Sequence, residues 1–227
     1  MSHVLVDLDR TATKLGLDRR LRVIPPDAMV RGVFFNLVHA DLERRGFAQN
    51  PLWTNRARER RSYELYPATE LIMLSSTAGA LVNEDPTEGM RQVHASTANY
   101  FASTWYGRAF QRFLHPDPHE AFGWIERSRH HIASYGRWRY ERRAAQRGIL
   151  HMFDEYCYIE SIQRGGCEGM LTACGVKGEV EVELDSEFQG RLLIRWDEGA
   201  AEKQLTAKTP RTPRVGSIPR RSWRLGG

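Results

Sequence analysis

Apolar residues return at helical spacing through the first 132 positions and at every second position in much of the remaining chain. The stretch RGVFFNLVHADLERRGF, residues 31–47, shows the first pattern. Val33, Phe34, Leu37, Val38 and Leu42 make one apolar stripe, with charges gathering on the far side. That predicts a helix packed on a core, from a cap at Asp27 to about Arg45, stopped by Gly46. Before it, Leu8, Leu15 and Leu21 among charged residues predict a short amphipathic helix over 7–22, ended by Pro25-Pro26. Residues 47–62 read as a loop or short helix, and Arg56, Arg58, Arg60 and Arg61 as a solvated face. Pro67 suits the first position of a helix over 68–81 carrying Leu71, Ile72, Leu74 and Ser75. A long helical stretch over 87–114, bent near Gly107, comes after the turn at 83–86. Pro116 and Pro118 force a loop, and residues 119–132 form another helix with Phe122, Ile125 and Ile132 inward.

The period then changes. Residues 136–143 alternate aromatic and charged side chains, which predicts a strand; Gly148 marks a turn and 149–153 return as its partner. Residues 156–174 read as a helix that tolerates Gly165-Gly166. Residues 179–184 and 191–196 are strand-like and joined over 185–190 as a second hairpin. The fold expected is α+β, an N-terminal helical bundle packed on a small antiparallel sheet made of hairpin, helix and hairpin. Residues 1–24 are read as an N-terminal helix, 25–198 as a single α+β domain, and 199–227 as a disordered basic tail.

Composition changes this picture little, and charge changes it more. The chain of 227 residues is 41% hydrophobic and 27% charged, ordinary for a globular protein. Its three cysteines, without an export signal, read as reduced cytoplasmic thiols. The net charge of +5 sits in the tail: Lys203, Lys208, Arg211, Arg214, Arg220, Arg221 and Arg224 oppose Glu202, which gives +6 there and leaves −1 for the body. A nucleic-acid footprint on the body is therefore not expected, and contact with nucleic acid is left to the tail alone. No apolar run reaches the roughly 18 residues of a membrane span.

The order Pro25-Pro26, then Arg31-Gly32-Val33-Phe34-Phe35, a helix after Tyr66-Pro67, then Tyr135-Gly136, and a closing strand from Gly190 through Trp196, resembles the myxobacterial paralogous family of unknown function. The resemblance covers about residues 25–197. That family in turn looks distantly similar to four-vinyl-reductase-type, haem-nitric-oxide-binding and transport-particle domains. The resemblance implies a small-molecule sensor or an interaction scaffold, often a dimer. It also places Arg31-Gly32 at the start of the first core helix, with the phenylalanines packing that helix onto the sheet.

Because relatives bind haem, the resemblance also directs attention to a helix histidine and to a Tyr-x-Ser-x-Arg element. His94 suits the first. Tyr135-Gly136-Arg137-Trp138-Arg139 has the tyrosine and the distal arginine of the second, but Arg137 replaces the serine. Haem is therefore not expected, nor any other cofactor. His115 and His119 have a four-residue spacing interrupted by prolines, and the cysteines lack a Cys-x-x-Cys pair, so no metal site is expected. Gly165-Gly166 is not a phosphate loop, no nucleophile–base motif occurs, and Asp154-Glu155 reads as an ordinary strand end. The aromatic group around Tyr100 and Trp105 reads as core or as the wall of a pocket. The expectation is thus a non-catalytic cytoplasmic sensory or regulatory domain. It binds a small apolar molecule at the helix–sheet interface, with His94, Tyr100, Trp105 and Tyr135 as ligand-binding residues. The alternative is a dimeric scaffold with a filled core. A homodimer is expected in either case, and no membrane partner.

Overall fold

A computed structural model describes residues 7–48, 50, 60–101 and 117–197, excepting the side chains of 98–101. The first helical segment is two helices, α1 (Leu8–Leu15) and α2 (Leu17–Val23), rather than the single one expected. Gly16 separates them in the left-handed region, φ 60°. Asp7 caps α1 by accepting a hydrogen bond from Arg10 N at 3.0 Å.

The next segment departs from the pattern of the sequence. Residues after Asp27 do not start a helix; Met29–Arg31 form a strand, β1. It pairs antiparallel with β2 (Leu65–Pro67), Val30 opposite Tyr66. This two-stranded ribbon leaves no trace in the hydrophobic pattern, because three residues are too few to show a period. The core helix α3 (Gly32–Arg44) begins directly after β1. Its opening glycine is a matter of space: a Cβ there would lie 2.4 Å from Arg61 O and 2.8 Å from the Tyr66 ring. Its two phenylalanines diverge. Phe35 meets Tyr66 of the ribbon edge-on, ring centroids 5.7 Å apart, whereas Phe34 faces an internal cavity.

Helices α4 (Ala68–Val82) and α5 (Pro86–Phe101) keep the expected order. Beyond Phe101 the expected long helix, with its bend at Gly107, lies outside the described residues. Helix α6 (Pro118–Ile132) starts at a true cap, with His119 N donating to Asp117 Oδ1 at 2.9 Å.

The sheet has the order β3-β4-β6-β5 and is antiparallel throughout. Its strands are β3 (Arg137–Ala144), β4 (Arg147–Phe153), β5 (Gly178–Ser186) and β6 (Gln189–Trp196). Gly148 is not the turn. It pairs with Arg142 inside the ladder and sits beneath Tyr140, whose hydroxyl would lie 2.1 Å from a Cβ at that position. Between the hairpins run a π-helical turn, Ile159–Gln163, and α7 (Arg164–Ala173). The inner face of the sheet, with Leu150, Met152, Leu192 and Ile194 all but fully buried, packs against Phe122 of α6 and Leu171 of α7. A second core joins α3, α4 and α5 through Leu42, Ile72, Met90 and Val93. The chain is α+β, with the helices first and the hairpin–helix–hairpin after, as its periodicities require. No helix among the described residues is long and apolar enough to cross a membrane.

Helices α1 and α2 are fastened to the body rather than appended. Tyr158 Oη donates to Leu15 O at 3.1 Å. Arg20 is buried over the Tyr158 ring, 3.9 Å from its centroid, and its Nη1 donates to Tyr156 O at 2.8 Å.

Candidate functional site

A cavity of about 160 Å³ lies where the helical core meets the sheet. Phe34 and Leu37 of α3 and His94 and Thr97 of α5 form one side. Trp124, Ile125, Arg129 and Ile132 of α6 form another. Tyr135, Trp138 and Cys157 make the wall nearest the sheet, and the π-turn and α7 close it through Ile162, Gln163, Gly166, Cys167 and Met170. Gly166 is both exposed and part of this wall, so the cavity opens to the surface beside it. The π-turn is the local irregularity that shapes this end: Gln163 N reaches back five residues to Tyr158 O, 3.1 Å. Single π-turns of this kind recur at functional sites.

His94, singled out as a helix histidine, lines the cavity. Its Nε2 lies 3.0 Å from Ser75 Oγ and the residue is buried. Burial pushes its pKa down to about 4, although Asp41 acts in the opposite direction, so the ring is neutral near pH 7. Tyr135 also belongs to the cavity. Its hydroxyl lies 3.1 Å from Cys157 Sγ, and burial holds the phenol well above its ordinary range. Burial likewise pushes the Cys157 thiol up to about 12 and raises that of Cys167, so both remain protonated and unreactive as thiolates. Of the other two expected residues, Tyr100 is in the last turn of α5 with its side chain outside the described residues, and Trp105 lies outside them altogether.

The charged part of the site is not among the residues expected from the sequence. Arg129 is buried between the rings of Tyr135 and Trp138, its guanidinium carbon 4.9 and 4.7 Å from their centroids. Its Nη2 donates to Glu155 Oε2 at 3.0 Å. Glu155, fully buried, also accepts from Trp138 Nε1 at 2.8 Å and, through Oε1, from Cys157 N at 3.0 Å. It is therefore the keystone of the wall and not an ordinary strand end. Gly136 makes room for the pair. Its φ is +74°, and a Cβ would lie 3.0 Å from Arg129 Nη2 and 3.2 Å from Glu155 Oε2. A signal for Arg129 does exist in the sequence, since it falls on the same helical stripe as Ile125 and Ile132. A charge on an apolar stripe marks a buried pair or a site. Glu155 carries no such signal.

His119, the other helix histidine singled out by spacing, is a core residue. Its Nδ1 lies 2.7 Å from Tyr140 Oη and its Nε2 2.9 Å from Ala145 O, which uses both nitrogens. His115 lies outside the described residues. A wider, open groove of about 790 Å³ runs along α7 and β5, but its central charges serve one another. There Arg91 pairs with Glu88 at 2.6 Å and with Glu168, and Arg164 pairs with Glu168 at 3.0 Å.

Residues 23–197 match the family model described as "Protein of unknown function (DUF2378)". The chain belongs to the DUF2378 family. No curated protein matches this DUF2378 chain. Solved structures resemble its fold. A mutant of the Fe(II) unliganded H-NOX protein from K. algicida superposes with a TM-score of 0.58 at 13% identity, over 74% of this chain and 97% of that one. An H-NOX protein from S. oneidensis in the Fe(II)NO ligation state gives 0.57 at 16%, over 74% and 99%. At such identities the likeness is one of fold, and it agrees with the distant similarity to haem-nitric-oxide-binding domains.

The described residues of the DUF2378 chain do not fit haem. A cavity of about 160 Å³ is well below even the roughly 300 Å³ at which pockets begin to hold drug-sized ligands. The imidazole nitrogen needed for iron faces Ser75 instead. Arg137 and Arg139, on the element considered for the propionates, are exposed on the outer face of β3, while the inner face carries Trp138 and Tyr140. The cation that does line the cavity, Arg129, is already paired with Glu155.

Proposed function

We propose that this protein is a sensory or regulatory domain that binds a small, largely apolar molecule in the cavity between α3, α5, α6 and α7. The observation that carries this reading is the cavity itself. Its size is close to the ~150 Å³ of an engineered apolar cavity that stays dry and takes up benzene or xenon. Its wall is apolar apart from a few placed groups, the usual make-up of a small-molecule site. The fold likeness to H-NOX domains supports the same reading by analogy only. The mechanism would be a population shift: a ligand that packs better against one arrangement of α6 and α7 favours that arrangement, and so changes a surface read by a partner.

The test is native mass spectrometry and an absorption spectrum of the purified full-length chain, then thermal unfolding with one-ring neutral compounds at millimolar concentration. A ligand at 100 times its Kd adds about 2.7 kcal/mol of stability. A retained small molecule, or a raised Tm for a subset of the compounds, is the expected result. An apo mass with no shift for any compound would overturn the reading.

A homodimer is proposed on a separate observation. The outer face of the sheet carries exposed Arg137 and Arg139 at the β3 edge and exposed Glu179, Glu181 and Glu183 at the β5 edge, of which Glu181 and Glu183 pair with Arg195 and Arg191 of β6, with half-buried Ile149, Phe153 and Leu193 between. Two copies related by a two-fold axis along the strands would set each basic edge against the other's acidic edge. Sedimentation at low and high salt tests this, with a salt-sensitive dimer expected and a monomer at all concentrations refuting it.

A further inference from the structure

The two edges of the four-stranded sheet differ. At β3 the edge is covered by α6, whose Glu126 Oε2 accepts from Tyr140 N at 3.2 Å. At β5, among the described residues, residues 178–184 take hydrogen bonds from β6 alone. An open edge is a row of unmatched N–H and C=O groups, a template for another strand. The groove of about 790 Å³ beside α7 runs along this edge, and Gly178, Glu179, Val180 and Glu181 all line it. Successive strand residues point to opposite faces, so a groove that meets four in a row meets the strand edge-on. The facing wall is one stripe of α7, Arg164, Glu168, Leu171 and Thr172, at helical spacing. A helix across a groove from an open strand edge suits an extended segment, added as a further strand.

Charge and chain path point to the occupant. Strand β5 carries Glu179, Glu181, Glu183 and Asp185 and no cation. Arg195 and Arg191 of β6 answer Glu181 and Glu183, whereas Glu179 and Asp185 have no ion pair among the described residues. A second copy of β5, paired antiparallel, would set acid beside acid. A basic segment lies close by. Residues 199–227 carry +6, and Asp197, just before them, is held at the foot of β5, its N donating to Lys177 O at 2.9 Å. Residues 198–209 lack proline, and Leu205 and Ala207 alternate with Gln204, Thr206 and Lys208 in the pattern of a half-buried strand. A new strand beside β5 is two strand spacings from β6, about 10 Å. Residues 198–202 reach roughly 16 Å when extended, enough to cross.

We infer that residues 203–209 of the chain's own C-terminal segment add to β5 as a fifth strand, over the groove beside α7. Such docking is independent of any ligand in the cavity, and it shields an edge that otherwise invites strand addition by other chains.

The chain's lysines are Lys14, Lys177, Lys203 and Lys208, so carbodiimide coupling of lysine to carboxylate reads the contact directly. On the full-length protein at low salt, mass spectrometry of the monomeric product should find Lys203 or Lys208 joined to Glu179, Glu181, Glu183 or Asp185. Those links should exceed links to exposed Asp9 and Asp18 of α1 and α2 several-fold, and weaken at high salt. Amide exchange gives a second readout. The double variant Thr206→Pro with Ala207→Pro removes two adjacent donors, one of which faces β5 whichever way the strand is turned. Neither position belongs to the described cores. Exchange of residues 178–186 should quicken roughly ten-fold in that variant, the size expected when a few hydrogen bonds are lost, with β3 unchanged. Lysine links spread evenly over the carboxylates, or equal exchange of β5 in both proteins, would overturn the fifth strand. Links found only between copies, in a mixture of isotope-labelled and unlabelled chains, would overturn docking within one chain.

Discussion

Two buried arginines use similar chemistry against the same short segment, residues 155–158. Arg20 of α2 lies over Tyr158 and Phe188, and Arg129 of α6 lies between Tyr135 and Trp138. Each has a glutamate partner, Glu187 and Glu155. The difference is in what surrounds them. Arg20 directs its donors at the chain: Nη1 at Tyr156 O, 2.8 Å, and Nη2 at Glu187 O, 3.3 Å. Its Nε lies 3.4 Å from the Glu187 carboxylate, an ion pair although out of line for a hydrogen bond. Arg129 gives Nη2 to a carboxylate, and its Nε, buried, has neither an ion pair nor a hydrogen bond among the described residues. The first is a fastener that ties α2 to the β5–β6 turn and to the segment after β4. The second has the fastener's partner but leaves one buried donor unmatched among the described residues. Burial alone does not separate the two; accounting for each donor does.

The comparison is broken most directly by removing the two guanidiniums in turn. Arg129→Met should cost the most, about 3–5 kcal/mol, because it leaves Glu155 buried without its cation. Urea denaturation measures it, and a loss below about 1 kcal/mol would mean that Glu155 is content with Trp138 and Cys157 alone.

A nearly comparable effect on the cavity side comes from pH. His94 has a folded pKa of about 4 against about 6.5 when unfolded. Between these values the unfolded chain binds a proton that the native state refuses, so stability is full above about 6.5 and falls as the pH drops toward 4. The displacement corresponds to a loss on the order of 3 kcal/mol. Chemical denaturation at pH 7 and pH 4.5 should show it in the wild type and show much less in His94→Gln. An unchanged slope in that variant would assign the acid sensitivity elsewhere.

Arg20→Met should cost less than its counterpart, about 1–2 kcal/mol, since the Glu187 side chain is 26% exposed and recovers water when its partner leaves. If the Arg20 and Arg129 variants lose equal stability, the greater burial of Glu155 than of Glu187 does not set the cost of losing the partner cation.

How much of the molecule is legible in its sequence depends on the range of each pattern. The change from helical to alternating period announces the α+β order, because α4, α6 and the four sheet strands are each long enough to show their period. The β1–β2 ribbon is three residues a side and is invisible. Gly16 splits a helix whose apolar spacing reads as continuous. His94 and Tyr135 are legible, one as an inward helix histidine and the other from its motif, and both line the cavity. The Arg129–Glu155 pair is not, because it joins positions 26 apart through a glycine, Gly136, whose φ sequence alone does not reveal. Only the arginine's place on an apolar stripe hints at it.

The smallest lever acts at the cavity's mouth, where two adjacent glycines of α7 behave oppositely. A Cβ at Gly165 would lie 2.3 Å from Arg91 O, so α7 can pack on α5 only with glycine there. A Cβ at Gly166 meets nothing within 4 Å among the described residues. Gly165→Ala should therefore destabilise, whereas Gly166→Ala should stabilise by about 0.5–1 kcal/mol, the ordinary helix advantage of alanine. Thermal unfolding of both variants at neutral pH measures the sign. A stabilised Gly166→Ala is the sign expected of open space beside α7 at the cavity wall. A destabilised one would mean that this mouth is closed in solution. The cavity would then be an interior void without access at α7.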